Sequence, residues 1–350
     1  MLIVAGLSVK NLQPRVWDAA SPYYLPALRA VMVSYAEFHQ MPGRMEKAKS
    51  LGLRKYLGVP KGVRIFLDNG AFYFLRSGCT AEREAYEEFV AAAKPDWYPI
   101  AFDVIPTPCM RPARQRRCFD STMAANQAYK HDGFVPVVHI CSLLEEYVTA
   151  VGRIPELAVK RRIALGGIVP NLLRAQKALS YTRVLESLSH VRDEFHDKEV
   201  HVFGIGGNAT VHLGAALGID SADSSGWRNR AARGLVQLPG TGDRMVTSLG
   251  KWRGREPSGK EWERLRRCHC PACKASGLRG LKASGIKGFC CRATHNLWVL
   301  LEEAAWATRH VAAGTYPMNY RRRLDNSTYL PLIARVVKSR MVRRTLSGRR

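Results

Sequence analysis

Apolar positions along this chain of 350 residues fall into short runs that recur with an even stride. The runs are LIVAGL from Leu2, VMVSY from Val31, RIFLDNG from Arg64, YPIAFDV from Tyr98, FVPVVHI from Phe134, RIALGGI from Arg162, VHVFGIG from Val200 and GIDSADS from Gly218. Most starts lie 28 to 38 residues apart, with one shorter step before the last. That stride is the length of a strand plus its crossover helix. The runs are too continuously apolar to keep one face in water, as befits a parallel sheet covered on both sides. Between them, segments such as TAEREAYEEFVAAAK and NLLRAQKALSYTRVLESLSHV read as helices. Eight such units predict an α/β fold, a (β/α)8 TIM barrel, over residues 1–250. An open doubly wound sheet is the runner-up, and the count of eight disfavours it.

A barrel of this kind gathers its chemistry at the C-terminal ends of the strands. Asp68 ends the third run, Asp103 the fourth and His139 the fifth. Gly166 and Gly167 end the sixth, Gly206 and Gly207 the seventh, Asp220 and Asp223 the eighth. Any single aspartate here reads better as a helix cap or a turn residue. Polar or glycine residues at so many strand ends are a stronger signal. For Gly206 and Gly207 a tight turn outweighs a phosphate site.

After residue 250 the pattern breaks into a basic stretch rich in Gly and Cys, with little core material. The segment NLWVLLEEAAWATRHVAAG then carries an apolar helical stripe on Leu297, Leu300, Leu301, Ala304 and Ala305. The expected layout is a Cys-rich subdomain at 251–295, inserted before a final barrel helix at 296–314. The last segment, 315–350, reads as a basic extension whose end, RVVKSRMVRRTLSGRR, orders on a polyanion.

Composition sharpens the picture. Fifty-four Lys and Arg against 29 Asp and Glu leave a net charge of +25, a statement about a polyanionic partner rather than about fold. The N-terminal run MLIVAGLSV is too short to span a bilayer and has no basic leader, so a soluble, cytoplasmic protein is expected. Five of the nine cysteines lie between Cys268 and Cys291. That clustering argues for a metal site and against a disulfide framework. Cys268, Cys270 and Cys273 form a C-x-C-x-x-C cluster, and His295 follows 22 residues later. Three thiolates and an imidazole would close a tetrahedral shell around a structural Zn²⁺. His269, Cys290 and Cys291 remain alternative ligands nearby.

With these residues in view, the sequence resembles the tRNA-guanine transglycosylases. CHCPAC with THNL at a helix start is similar to their zinc motif, LDNGAF to their Asp-Ser-Gly-Gly-Phe segment, and IAFDVIPTP to their base-recognition strand. ALGGI resembles their Gly-Gly-Leu loop and GIDSADSSGW the segment carrying their nucleophile. The resemblance runs from about residue 64 to residue 300. It departs at His139, where tRNA enzymes carry a glutamine, at DNGAF, and at SSGWRNRAARG, which lacks their Pro-Thr-Arg-Ser-Gly stretch. These departures are most like the DpdA-type transglycosylases, which place 7-deazaguanine bases in DNA.

The resemblance implies roles. Asp223 would be the nucleophile at C1′ and Asp68 the general acid and base. Asp103 would read the guanine-like edge of a preQ0-type base, with His139, Gly166, Gly167 and Ile168 lining its pocket. Asp220 would have a supporting or structural role, pointing elsewhere than Asp223. Arg228, Arg230 and Arg233 are candidates for phosphate contacts. The expected partners are DNA, with tRNA as the alternative, a 7-deazaguanine base and a helper ATPase. A non-catalytic zinc protein that binds nucleic acid is the rival class, with no use for three strand-end carboxylates facing phosphates.

Overall fold

In a computed structural model of the protein, the described residues are 1–79, 82–101, 103–129, 133–168, 177–324, 327 and 329–347, the stretch 340–347 by its backbone alone. Every one of the eight apolar runs contains a strand. They are β1 (Leu2–Gly6), β2 (Ala30–Ser34), β3 (Arg64–Asp68), β4 (Tyr98–Pro99), β5 (Phe134–Val135), β6 (Val137–His139), β7 (Arg162–Gly166), β8 (Glu199–Val202) and β9 (Ser221–Ser224).

Seven of them form one curled parallel sheet in the order β3-β2-β1-β9-β8-β7-β6. Neighbours in space are neighbours in sequence, except that the last strand lies beside the first, with Ile3 opposite Ala222 and Val4 opposite Asp223. This order has no switch point of the doubly wound kind. The fifth expected strand is split at Pro136, whose missing N–H interrupts the ladder. β5 pairs with β4, and β6 pairs with β7. β4 in turn touches β3 through a parallel bridge between Phe66 and Trp97, supported by Leu67 N–H donating to Trp97 O at 2.8 Å.

The strand interiors are buried on both faces, as at Ile3, Val4, Val31, Val33, Ile65, Leu67, Ile163, Leu165, Val200 and Val202. Helix Arg83–Ala93 covers one flank with Tyr86, Phe89, Val90 and Ala93, spaced three and four apart. Helix Tyr181–Glu194 is capped by Ser180, whose hydroxyl accepts from Arg183 N–H at 3.2 Å. The upstream part of its expected segment, 171–176, lies outside the described residues.

One expectation is corrected. The helix predicted to start at Asn296 spans Gly285–Ala312. Its first turns hide no apolar stripe because they bury polar groups instead. Arg292, Thr294, His295 and Asn296 are all at most 1% exposed. Arg292 donates to the carbonyls of Ala231, Leu281 and Ala283, so tertiary partners satisfy what a periodicity argument counts as surface. The C-terminal extension carries two helices, Tyr316–Arg323 and Leu330–Ser347. Ile333, Val336 and Val337 of the second helix are buried in the same cluster as Val184, Leu188 and Leu217.

The Cys-rich region has a small core of its own. A hairpin, β10 (Leu235–Gln237) with β11 (Asp243–Met245), packs with helices Gly259–Arg266 and Pro271–Lys282. Val236, Leu238, Val246, Leu265, Leu281 and Cys291 form that core. Ser258 and Glu261 cap the first helix reciprocally, and Glu261 also takes a buried bidentate pair from Arg244 at 3.0 Å. Among the described residues no helix is long and apolar enough to cross a membrane.

Candidate active site and metal centre

The C-terminal strand ends open onto one cavity of about 390 Å³. Asp68, Asp103, His139, Gly166, Gly167, Ile168 and Asp223 all line it, with Ser34, Asn69, Phe203 and Gly204 between them. Seven separate chain segments bring these side chains together because parallel strands all end on the same side.

Asp68 is the last residue of β3, in register with Ser34 of β2. Burial pushes its carboxyl up to about 6; the Ser34 hydroxyl and Gly70 N–H pull the other way, and the charges of Asp223 and Asp103 add to the rise. A carboxyl poised there exchanges a proton near neutral pH.

Asp103 is buried, and its loop is anchored by Val104 N–H donating to Thr122 Oγ1 at 2.9 Å. Asn69 Nδ2 donates to Asp103 Oδ1 at 2.5 Å and to Ile100 O at 2.7 Å. Asn69 Oδ1 accepts from Ala71 N–H at 3.0 Å, so the amide is clamped at both ends. His139 is fully buried, its Nε2 3.0 Å from Asp103 Oδ2 but too far out of line for a hydrogen bond. Its ring lies against Gly166, where a Cβ would fall 2.7 Å from Nδ1. Gly167 has φ +75°, and a Cβ there would sit 3.0 Å from Ile140 O. Both glycines are therefore required by close approach to β6.

Asp223 lies in β9, and its Oδ1 accepts from Gly204 N–H at 2.7 Å. Below it, His201 of β8 is 2% exposed, with Nε2 3.7 Å from the same oxygen. Gly206 N–H donates to Asp223 O at 3.1 Å and Gly207 N–H to Ile205 O at 2.9 Å, which makes this stretch a tight turn whose donors are used internally. Asp220, expected beside Asp223 at the strand's end, stands before the strand instead. Its Oδ2 accepts from Arg192 Nη1 at 2.9 Å and from Val200 N–H at 2.8 Å. It belongs to the opposite rim, since residues three apart on a strand are separated by about 10 Å.

The three arginines differ in availability. Arg228 is buried and donates to the backbone carbonyls of Gln13 and Asn11. Arg230 Nε bridges both oxygens of Asp243 at 2.8 Å. Arg233 is exposed and lies over the ring of Trp252 at 4.1 Å.

Sequence reasoning gave no role to Asn69, Ser34 or His201. Asn69 was visible only as a departure inside LDNGAF. His201 was visible as the one polar side chain inside the VHVF run, a position a strand pattern fills with core.

The metal-ligating atoms of Cys268, Cys270, Cys273 and His295 lie within 4.8 Å of one another. His295 Nδ1 is 3.3, 3.8 and 3.5 Å from the three sulfurs in chain order. Tetrahedral Zn²⁺ with ordinary Zn–S and Zn–N bonds would set that separation at about 3.5 Å. His295 Nε2 donates to Gln237 O of β10 at 2.9 Å, which turns Nδ1 toward the sulfurs. His269, Cys290 and Cys291 are not part of the group. The donor set fits a closed structural site, about 28 residues of basic, Gly-rich chain being fastened to the hairpin by it.

Residues 8–328 match the family described as Queuine tRNA-ribosyltransferase. No curated protein matches. The matched stretch runs from the loop after β1 to beyond the metal ligands and holds every residue lining the cavity except Gly6 and Leu7. The chain belongs to the queuine tRNA-ribosyltransferase family.

Proposed function

We propose that this protein exchanges guanine in DNA for a 7-deazaguanine base of the preQ0 type, through a covalent aspartyl–sugar intermediate. Membership of the family implies a guanine transglycosylase, a pentosyltransferase. The observation that carries the covalent exchange mechanism is the convergence of Asp68, Asp103 and Asp223 on one cavity. Supporting a closed (β/α)8 barrel around it are the β3–β4 bridge, the β4–β5 pair and the run of β5 into β6.

Asp223 attacks C1′ as the C1′–N bond to guanine breaks, and the bond's electron pair leaves with the base. Asp68 gives its proton to that base, which departs neutral. The incoming base then attacks C1′, loses its ring N–H proton to Asp68, and the Asp223 carboxylate leaves with its electron pair. Asp103, fixed by Asn69, accepts from the N1–H and N2–H₂ edge of either base. His139, Gly166, Gly167 and Ile168 wall the pocket. A Zn²⁺ held by Cys268, Cys270, Cys273 and His295 supplies structural cross-linking. Arg233, with Trp252, has the freest guanidinium for phosphate, whereas Arg228 and Arg230 shape the segment after β9.

DNA is favoured over RNA by His139 in place of a glutamine and by the altered stretch after Asp223. A +25 chain suits either polymer. The second reading, exchange in tRNA, has the family's description in its favour. Nucleoside mass spectrometry of DNA and RNA from cells carrying the protein and a deazaguanine supply separates them. Deazaguanine confined to deoxynucleosides supports DNA; an Asp223-dependent signal only in tRNA overturns it. A requirement for a helper ATPase would appear as activity on denatured but not duplex DNA.

A further inference from the structure

We infer that His201 is a positioning residue for Asp223, holding Oδ1 so that Oδ2 attacks and easing the departure of the same carboxylate in the second step. The inference rests on Asp223 being the nucleophile. His201 is almost wholly enclosed between β8 and its neighbours, its ring 4.8 Å from Trp97, 4.9 Å from Phe203 and 5.7 Å from Phe66. A histidine in such an aromatic box is costly unless its nitrogens have work. Nδ1 is 2.9 Å from the Ser221 hydroxyl, two residues before Asp223 on the same strand. Nε2 has no hydrogen-bond partner among the described residues and lies 3.7 Å from Asp223 Oδ1.

With Nδ1 accepting from Ser221, the proton sits on Nε2 and points to Oδ1, which already takes the Gly204 N–H at 2.7 Å. Two donors on one oxygen leave the other as the nucleophile. When Oδ2 is bonded to C1′, Oδ1 is the ester carbonyl oxygen. When the C1′–Oδ2 bond breaks, negative charge returns to the carboxylate. Donors fixed at Oδ1 then act where charge develops. A contact at 3.7 Å in the empty site tightens readily as the sugar presses on Asp223.

The test uses the full chain, heat-denatured plasmid DNA or bulk tRNA, and radiolabelled guanine, with the covalent adduct trapped by denaturation. Asp223→Ala serves as the control. His201→Phe keeps the Gly204 N–H on Oδ1, so it should form the adduct at a rate close to that of the unaltered protein but resolve it roughly tenfold or more slowly, and adduct accumulates. His201→Gln, which restores an N–H near Nε2, should recover much of the resolution rate. Spectra of ¹⁵N-histidine protein should show His201 with its proton on Nε2, and Ser221→Ala should disturb that tautomer. The inference is overturned if His201→Phe resolves adduct normally. It is equally overturned if formation and resolution fall together with a lower melting temperature and no rescue by Gln, which marks a packing residue. If the unaltered protein forms no Asp223-dependent adduct, the nucleophile reading itself fails and this inference with it.

Discussion

The carboxyls of Asp68 and Asp223 face one cavity from β3 and β9, and the charge of Asp223 adds to the burial that pushes Asp68 up to about 6. Because the folded value lies above the ordinary 3.8, the native chain binds more protons in this window. Any stability this group contributes is present below about pH 4 and is lost as pH rises through 6. For catalysis the same shift means that the acid form is drained above about pH 6. Adduct formation should therefore slow as pH rises past 6, and Asp68→Asn should remove that limb. Asp223→Asn should lower the Asp68 midpoint in carboxyl ¹³C spectra; an unchanged midpoint would mean the two groups do not sense one another.

Asp223→Ala should abolish exchange while polynucleotide binding, read by filter retention, stays near its original strength. Asp220→Ala should leave exchange intact and cost about 1 kcal/mol of stability, since its pair with Arg192 is half exposed. An Asp220 variant that binds nucleic acid and folds normally, yet is inactive, would reverse the two roles.

Asn69→Ala should loosen Asp103. Losing a hydrogen bond to a charged group is worth about 1.5–3 kcal/mol, expected here mainly as a higher KM for the incoming base. Gly166→Ala should act on the same pocket from the other side by displacing His139. Steady-state kinetics with varied base would refute both if KM stayed fixed while kcat collapsed.

Cys270→Ala or His295→Ala should lower folded yield and melting temperature rather than turnover per folded molecule. One metal ion per chain should survive dialysis and be identified as zinc by mass spectrometry. Full activity and unchanged melting in a metal-free preparation would exclude a structural metal.

Glu303 is wholly buried, with His212 Nε2 2.9 Å and Gly240 N–H 3.0 Å from its Oε2 and Arg323 on its Oε1. Burial works to raise its pKa, but His212 and Arg323 outweigh this and hold the value below 4.5. The stabilisation is present above about pH 4.5 and lost as pH falls through the depressed folded value. Glu303→Ala strands His212 and Arg323 and should cost about 3–5 kcal/mol in thermal or urea unfolding. The variant's loss should shrink in acid; a loss independent of pH would argue against the ionic role.

What the sequence determined by itself was the set of strands, their parallel character and the identity of the residues at their ends. This is because continuous apolar runs at crossover spacing have few ways to be buried, and strands sharing one direction put Asp68, His139 and Gly166 on one rim. The C-x-C-x-x-C spacing similarly declared a metal site before any contact was known. Only the tertiary structure separated Asp220 from Asp223, because three residues along a strand reverse both the face and the end, and run boundaries do not reveal where pairing starts. The spacing named His295 as the fourth ligand, but only the tertiary structure set aside His269, Cys290 and Cys291, which lie outside the group. It extended the long helix back to Gly285, where buried Arg292 and Asn296 find partners distant in sequence. And it put His201 beneath Asp223: a histidine inside an apolar strand looks like core until the opposing strand shows which atom its ring faces.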